Sequence, residues 1–180
     1  GKFPVLPVYP SSPWDRRVPY TEILRFYSCG AADGRGAHLP WLQSTPDPLT
    51  SAAWSTWVEI NSSTADQKGI REGDIVIVEG ANARTIEAQV YVHPGISPGV
   101  IGIPVGQGHS SGSRYSEGRG SNILEILGLP SDIKTGALAW ASTRVRITQT
   151  GRREPLPKFE GIVPAFPASP ANNIIKYVTE

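Results

Sequence analysis

The chain has 180 residues, 39% of them hydrophobic, and its 17 Lys and Arg against 16 Asp and Glu leave a net charge of +1. That length fits one domain with or without arms, and a balanced charge gives no electrostatic drive toward nucleic acid or an anionic membrane. The lone cysteine, Cys29, excludes an internal disulfide framework, a zinc site built on several cysteines and a cysteine-held iron–sulfur cluster, and no stretch approaches the roughly eighteen apolar residues of a spanning helix.

Residues 1–50 read as an extended N-terminal arm. Pro4, Pro7, Pro10 and Pro13 fix the backbone at short intervals. No basic region followed by an apolar one opens the chain, so a signal peptide is not expected. The arm is either a strap packed on the barrel or neighbouring domains, or a floppy tail. Cys29 follows an apolar stretch, Ile23 to Ser28, and reads as a packed small hydrophobe rather than a nucleophile. Trp41, Trp54 and Trp57 cluster around Pro40, Pro46 and Pro48, which suits packing or an interface better than ligand stacking.

Residues 51–150 carry the fold signal. Val58 and Ile60 share one face of an alternating strand that begins at Trp57. Ser62 and Ser63 can cap a short helix over Thr64 to Lys68, with Gly69 closing it in a left-handed conformation. Asn61-Ser62-Ser63 also spells a glycosylation sequon, though a cap is the simpler reading. Asp74 to Val78 is a continuous apolar run, as for a strand covered on both sides. A turn over Gly80 to Ala83 leads into Arg84 to Val92, with Ile86, Ala88, Val90 and Val92 on one face. Pro94-Gly95 and Pro98-Gly99 mark turns before an apolar strand from Val100 to Val105. Ile123 to Leu127 is a second short helical candidate, and Arg144 to Thr148 alternates again. Residues 151–180 form a Pro-rich C-terminal arm. Short strands, tight turns and few helices give a mainly β fold, a small barrel or sandwich.

Residues 106–122 form a Gly- and Ser-rich loop too long and polar for a tight hairpin. Its glycines let backbone N–H groups approach a ligand, and its arginines can grip phosphate. Gln107, His109, Ser121 and Asn122 can read amide-like edges. The set suits a phosphate-bearing heterocyclic cofactor; the other reading is a mobile surface loop. Gly108-His109-Ser110-Ser111-Gly112 spells a nucleophile elbow, but the residues after Gly112 have poor helix propensity and no histidine follows His109, so a serine hydrolase is disfavoured. His38, His93 and His109 lack the spacing of a helical metal pair.

One ordered series of short motifs resembles a known family. It runs through Trp57 to Asn61, Gly69-Ile70, Glu72-Gly73-Asp74, Pro98-Gly99-Val100, Gly106 to His109, Gly118 to Asn122 and Thr135 to Trp140. Upstream it includes Gly34-Arg35-Gly36-Ala37, Pro40-Trp41-Leu42-Gln43 and Pro46-Asp47-Pro48. The series is similar to the C-terminal domain of the dimethyl-sulfoxide-reductase family of molybdopterin oxidoreductases. The branch resembled includes polysulfide-reductase-like enzymes and the iron–sulfur subunit of alternative complex III.

That resemblance implies a double-psi β-barrel, aspartate-decarboxylase-like, with one or two short helices and extended Pro-rich arms. It implies a domain that contacts one half of a bis(molybdopterin guanine dinucleotide). Gly106, Gln107, Gly108, His109, Arg114, Asn122 and Thr135 would lie near pterin or pyrophosphate. Iron–sulfur clusters and the molybdenum ligand would come from other parts of the assembly, so no catalytic residue and no cluster are expected here. The chain would be a domain or split segment of a larger subunit. Its partners would be the remaining domains and the iron–sulfur and membrane-anchor subunits of a respiratory complex, at the periplasmic or outer face of the membrane. Relatives of the alternative complex III type keep the barrel as a scaffold without molybdenum, which is the alternative role. Alone, the chain would expose apolar surface around Trp41 and Trp54 and self-associate.

Overall fold

A computed structural model describes residues 22–28, 33–127, 133–137 and 143–159, with the backbone alone for 22–28. Cys29, the arms over 1–21 and 160–180, and Leu138 to Trp140 of the last family motif lie outside the described residues.

Six strands close a barrel: β1 (Glu22–Ser28), β2 (Trp57–Ile60), β3 (Asp74–Gly80), β4 (Thr85–Val92), β5 (Val100–Val105) and β6 (Arg144–Arg153), in spatial order β1-β5-β2-β4-β3-β6. Two pairs are parallel, β1 with β5 from Ile23↔Val100 to Ser28↔Val105, and β2 with β4 from Trp57↔Gln89 to Ile60↔Val92. The remaining contacts are antiparallel, and Glu22↔Val145 closes the ring. The fold is mainly β, a six-stranded barrel of the double-psi kind with short helices α1 (Pro40–Ser44) and α2 (Ser62–Lys68).

The barrel draws on more of the chain than residues 51–150. β1 comes from within the stretch expected as an extended arm: an apolar run from Ile23 supplies a strand for β5, and its prolines lie further upstream. β6 runs on to Arg153, beyond the short alternation at Arg144 to Thr148. Past it, residues 154–159 lie along the barrel. Ala53 N–H donates to the Pro157 carbonyl over 3.1 Å, Phe159 N–H to the Ser51 carbonyl over 2.9 Å, and Leu156 is buried with Ala52 and Trp57.

Alternation explains the core. Val58, Ile60, Val76, Val78, Ile86, Val90, Ile101 and Ile103 point inward from four strands and pack with Ile123, Ile126 and Val145. β3 departs from the expectation of cover on both sides. A bulge between Asp74 and Val76 shifts its register, after which Val76 and Val78 are buried while Ile77 and Glu79 are only half-buried.

α2 starts at Ser62, two residues before the expected Thr64. Asn61 is the cap, its Oδ1 accepting from Ser63 N–H over 2.9 Å. Its Nδ2 donates to the Ile96 carbonyl over 2.6 Å. Both ends of the amide are therefore engaged, and the sequon reading loses its acceptor. Gly69, at φ 67°, ends the helix as its sequence position requires. The second helical candidate is a single 3-10 turn over Ile123–Glu125. No helix among the described residues is long and apolar enough to cross a membrane.

Candidate functional site

The loop after β5 folds back on itself. Gly108 N–H donates to the Arg119 carbonyl over 2.8 Å, and Gly118 N–H to the His109 carbonyl over 3.3 Å. The tip turns at Ser113 and Ser116, whose hydroxyls satisfy local backbone groups. No helix follows Gly112, so the nucleophile-elbow context is missing. Thr56 fixes the returning limb: its Oγ1 donates to the Ser121 carbonyl and accepts from Ser121 N–H, each over 3.0 Å. Asn122 Oδ1 then accepts from Leu124 N–H over 3.1 Å and caps the 3-10 turn.

Between this loop and β4 lies a cleft of about 350 Å³, lined by Thr85, Ile86, Glu87, Gly108, His109, Gly120, Ser121, Asn122 and Glu125. Gly108 and Gly120 adopt φ of 81° and 59°, and both press their backbone against neighbouring chain. Glu87 is ion-paired with Arg152, which offsets its charge at the cleft edge. Glu125 adds a second carboxylate to the lining.

Of the seven residues expected at a ligand, Gly108, His109 and Asn122 line this cleft. Gln107 does not face it. It is buried and bonded through both amide atoms to Gln43. Gly106 lies beside Gly34, where an added Cβ would come within 3.5 Å of the Gly106 Cα. Arg114 is exposed, its guanidinium bonded to the Tyr115 hydroxyl and stacked 4.7 Å from that ring's centre. Thr135 is exposed in the 133–137 segment, where its hydroxyl accepts from Ala137 N–H, and it is not part of the cleft lining.

Arg119 is one of the two loop arginines suited to phosphate, but it is not among the seven residues that the resemblance places near a ligand. Its guanidinium sits 4.7 Å from the Trp54 ring centre, and Trp54 holds the unusual φ of 61°. Trp54 is thus half-buried beneath an arginine, whereas Trp41 is 72% exposed and Trp57 is buried.

A test of fit comes from polar atoms without partners. Among the described residues, His109 Nε2 and Arg119 Nε are buried and make no hydrogen bond. An unmade bond at a buried group costs about 1–3 kcal/mol, so an oxygen that reached either atom would be favoured; His109 lines the cleft with its Nε2 turned to Gly34, and Arg119 is not among the lining residues. An anionic, heteroatom-rich group of the dinucleotide type fits that donor set.

Comparisons with known proteins agree with the geometry. Residues 41–128 match the family model described as Molydopterin dinucleotide binding domain. Over 93 residues the chain is 25% identical to a curated protein of Nitratidesulfovibrio vulgaris, "Menaquinone reductase, molybdopterin-binding-like subunit". That match covers 52% of this chain and 13% of the relative's length. Among solved structures, acetylene hydratase from Pelobacter acetylenicus has the same fold, with a TM-score of 0.55 at 16% identity, covering 71% of this chain and 18% of that one. The chain therefore spans less than a fifth of either. The family match makes residues 41–128 a molybdopterin dinucleotide-binding domain, carried on a barrel that the solved structure shares.

Proposed function

We propose that this chain holds a molybdopterin guanine dinucleotide against loop 106–122, as one part of a larger oxidoreductase subunit. The observation that carries the reading is the pair of buried, unpartnered donors on that loop, His109 Nε2 and Arg119 Nε. Arg119 would bind an anionic oxygen, its guanidinium steadied by Trp54. His109 and Asn122 would orient the ligand. Gly108 and Gly120 let the two limbs of the loop pack closely where a Cβ would collide with Asn122 and Thr56. When bound, the cofactor supplies the redox centre; the residues of this chain bind and orient. The metal's own ligand, the iron–sulfur clusters and a membrane anchor would belong to partner domains and subunits.

A second reading has its own support. Gln107 is tied to Gln43, Arg114 stacks on Tyr115, and two carboxylates, Glu87 and Glu125, line the cleft. These features suit a scaffold barrel of the alternative complex III type that carries no molybdenum. Metal analysis and pterin fluorescence of the full-length assembly separate the two. The first reading expects stoichiometric molybdenum and pterin, with loading reduced at least about tenfold by Arg119→Ala or His109→Ala. Wild-type protein without pterin would establish the scaffold instead. Full loading in both variants would move the ligand off this loop.

A further inference from the structure

Gln107 is 6% exposed and Gln43 2% exposed, and their side chains meet across 64 positions of sequence. Gln107 Nε2 donates to Gln43 Oε1 over 2.7 Å, and Gln43 Nε2 donates back to Gln107 Oε1 over 3.2 Å. Gln43 Nε2 also donates to the Ala37 carbonyl over 2.9 Å. One buried amide thus grips two separate pieces of chain, the exit of β5 and the turn over residues 33–37.

Both pieces border His109. Gln107 stands between Gly106, at φ 108°, and Gly108, at φ 81°. Both hold backbone conformations that favour glycine, and the buried side chain between them pins the segment. On the other side, the turn brings Gly34 so close that a Cβ there would lie 3.0 Å from His109 Nε2. That turn is the cover that keeps the nitrogen from water.

From this arrangement we infer that Gln43 is a positioning residue for the ligand loop: its amide pair with Gln107 and its bond to Ala37 together set where His109 is presented and keep it covered. The inference rests on the ligand reading of loop 106–122 for its functional meaning, but its geometry can be tested separately. The group at position 43 must donate and accept at once, as an amide does, and an ionised carboxylate there would set acceptors against the Ala37 carbonyl.

The test uses the full-length subunit in its complex, with Gln43→Leu, Gln43→Glu, Gln107→Leu and the double leucine variant. Reaction of His109 with diethyl pyrocarbonate, mapped by mass spectrometry, reads the cover, and pterin retention on dilution reads the ligand. In Gln43→Leu, His109 labelling should rise at least about tenfold and pterin should leave faster by a similar factor. In Gln43→Glu, His109 labelling taken as a ratio to wild type at the same pH should stay near one at about pH 5, where a buried carboxyl is neutral, and rise toward about pH 8. In Gln43→Leu the same ratio is raised at every pH. Because Gln43→Glu is isosteric and neutral at low pH, it answers the question even if the leucine variant fails to fold.

In the double variant, two apolar groups replace two amides, a change that can be nearly neutral for stability. Thermal stability should then recover while His109 stays reactive, since the Ala37 bond is still missing. If His109 protection and pterin retention both return with stability, the pair is mere packing and the inference is overturned. Unchanged labelling in Gln43→Leu, or a flat pH profile in Gln43→Glu, overturns it as well. Should the wild type carry no pterin, the ligand reading fails alone, and the labelling results still decide the role of Gln43.

Discussion

His93 Nδ1 lies 3.1 Å from Glu59 Oε2, on the outer face of the barrel. The other carboxylate oxygen of Glu59 accepts from Trp57 Nε1 over 3.3 Å. Glu59 is 6% exposed, and Gly102 across the strand pair leaves the room it needs: an added Cβ there would come within 3.3 Å of Oε2. One buried carboxylate therefore serves a strand neighbour and the turn that follows β4.

Replacing Glu59 by Leu strands the buried Trp57 indole N–H, while the His93 imidazole, 30% exposed, can turn to water. The expected cost is about 1–3 kcal/mol, that of one buried group left unmatched. Glu59→Gln keeps an acceptor for Trp57 and should cost less than half as much. Hydrogen exchange of the β2 and β4 amides in the intact subunit measures both. Equal protection in the leucine variant and the wild type would refute this account.

Gly108 has no room for a methyl group. A Cβ there would overlap the Asn122 backbone nitrogen and the Ser121 carbonyl carbon, and its φ of 81° already disfavours any side chain. Gly108→Ala should therefore spring the two limbs of the loop apart. The left-handed backbone alone costs about 1–2 kcal/mol, and the collision adds to it. The expected result is loss of amide protection at Gly108 and at residues 118–122 with the rest of the barrel unchanged. Gly118→Ala is the control, because open space surrounds that position and only the backbone term applies.

Much of the barrel was legible because its strands alternate with period two, and Ile86, Ala88 and Val90 are buried as that pattern requires. The loop was legible as a place, since a Gly-rich stretch after an apolar strand cannot pack as a hairpin. Its contacts were not. Gln107 faces inward because a partner 64 residues away matches its amide, and Arg114 faces outward because Tyr115 is adjacent. Neither fact has a local signature. β1 was hidden for a similar reason: prolines nearby suggested an arm, while its partner β5 lies more than seventy residues downstream.

Asp33 and Arg35 supply a pH test at the turn that covers His109. The Arg35 guanidinium donates to both carboxylate oxygens of Asp33, at 2.8 and 2.6 Å, and its backbone N–H joins at 3.2 Å. These bonds hold the Asp33 pKa down to about 2 from an ordinary 3.8. The folded value lies below the unfolded one. The pair's contribution is therefore present above about pH 4 and lost as pH falls toward 2. Carboxyl titration by NMR should show the low midpoint in wild type and a return toward 3.8 in Arg35→Gln. Both side chains are exposed, so high salt should weaken the shift. A wild-type midpoint near the ordinary value would show that the turn is not tied by this pair.

The segment after β6 makes the last test. Leu156 is 7% exposed, packed with Ala52 and Trp57, while its flanks are pinned by Gln89 Nε2 to the Pro155 carbonyl at 3.2 Å and by Lys158 to Glu72. Lys158 also lies 4.3 Å above the Tyr91 ring. Most of the apolar anchoring is therefore in one side chain. Leu156→Ala should cost about 2–4 kcal/mol locally, the usual range for a buried leucine that leaves a cavity. Lys158→Ala removes a partly exposed ion pair and should cost less than about 1 kcal/mol beyond its stem packing. Limited proteolysis of the intact subunit separates them: cleavage within residues 151–159 should accelerate strongly in Leu156→Ala and little in Lys158→Ala. The reverse order would mean that charge, not burial, holds this strap to the barrel.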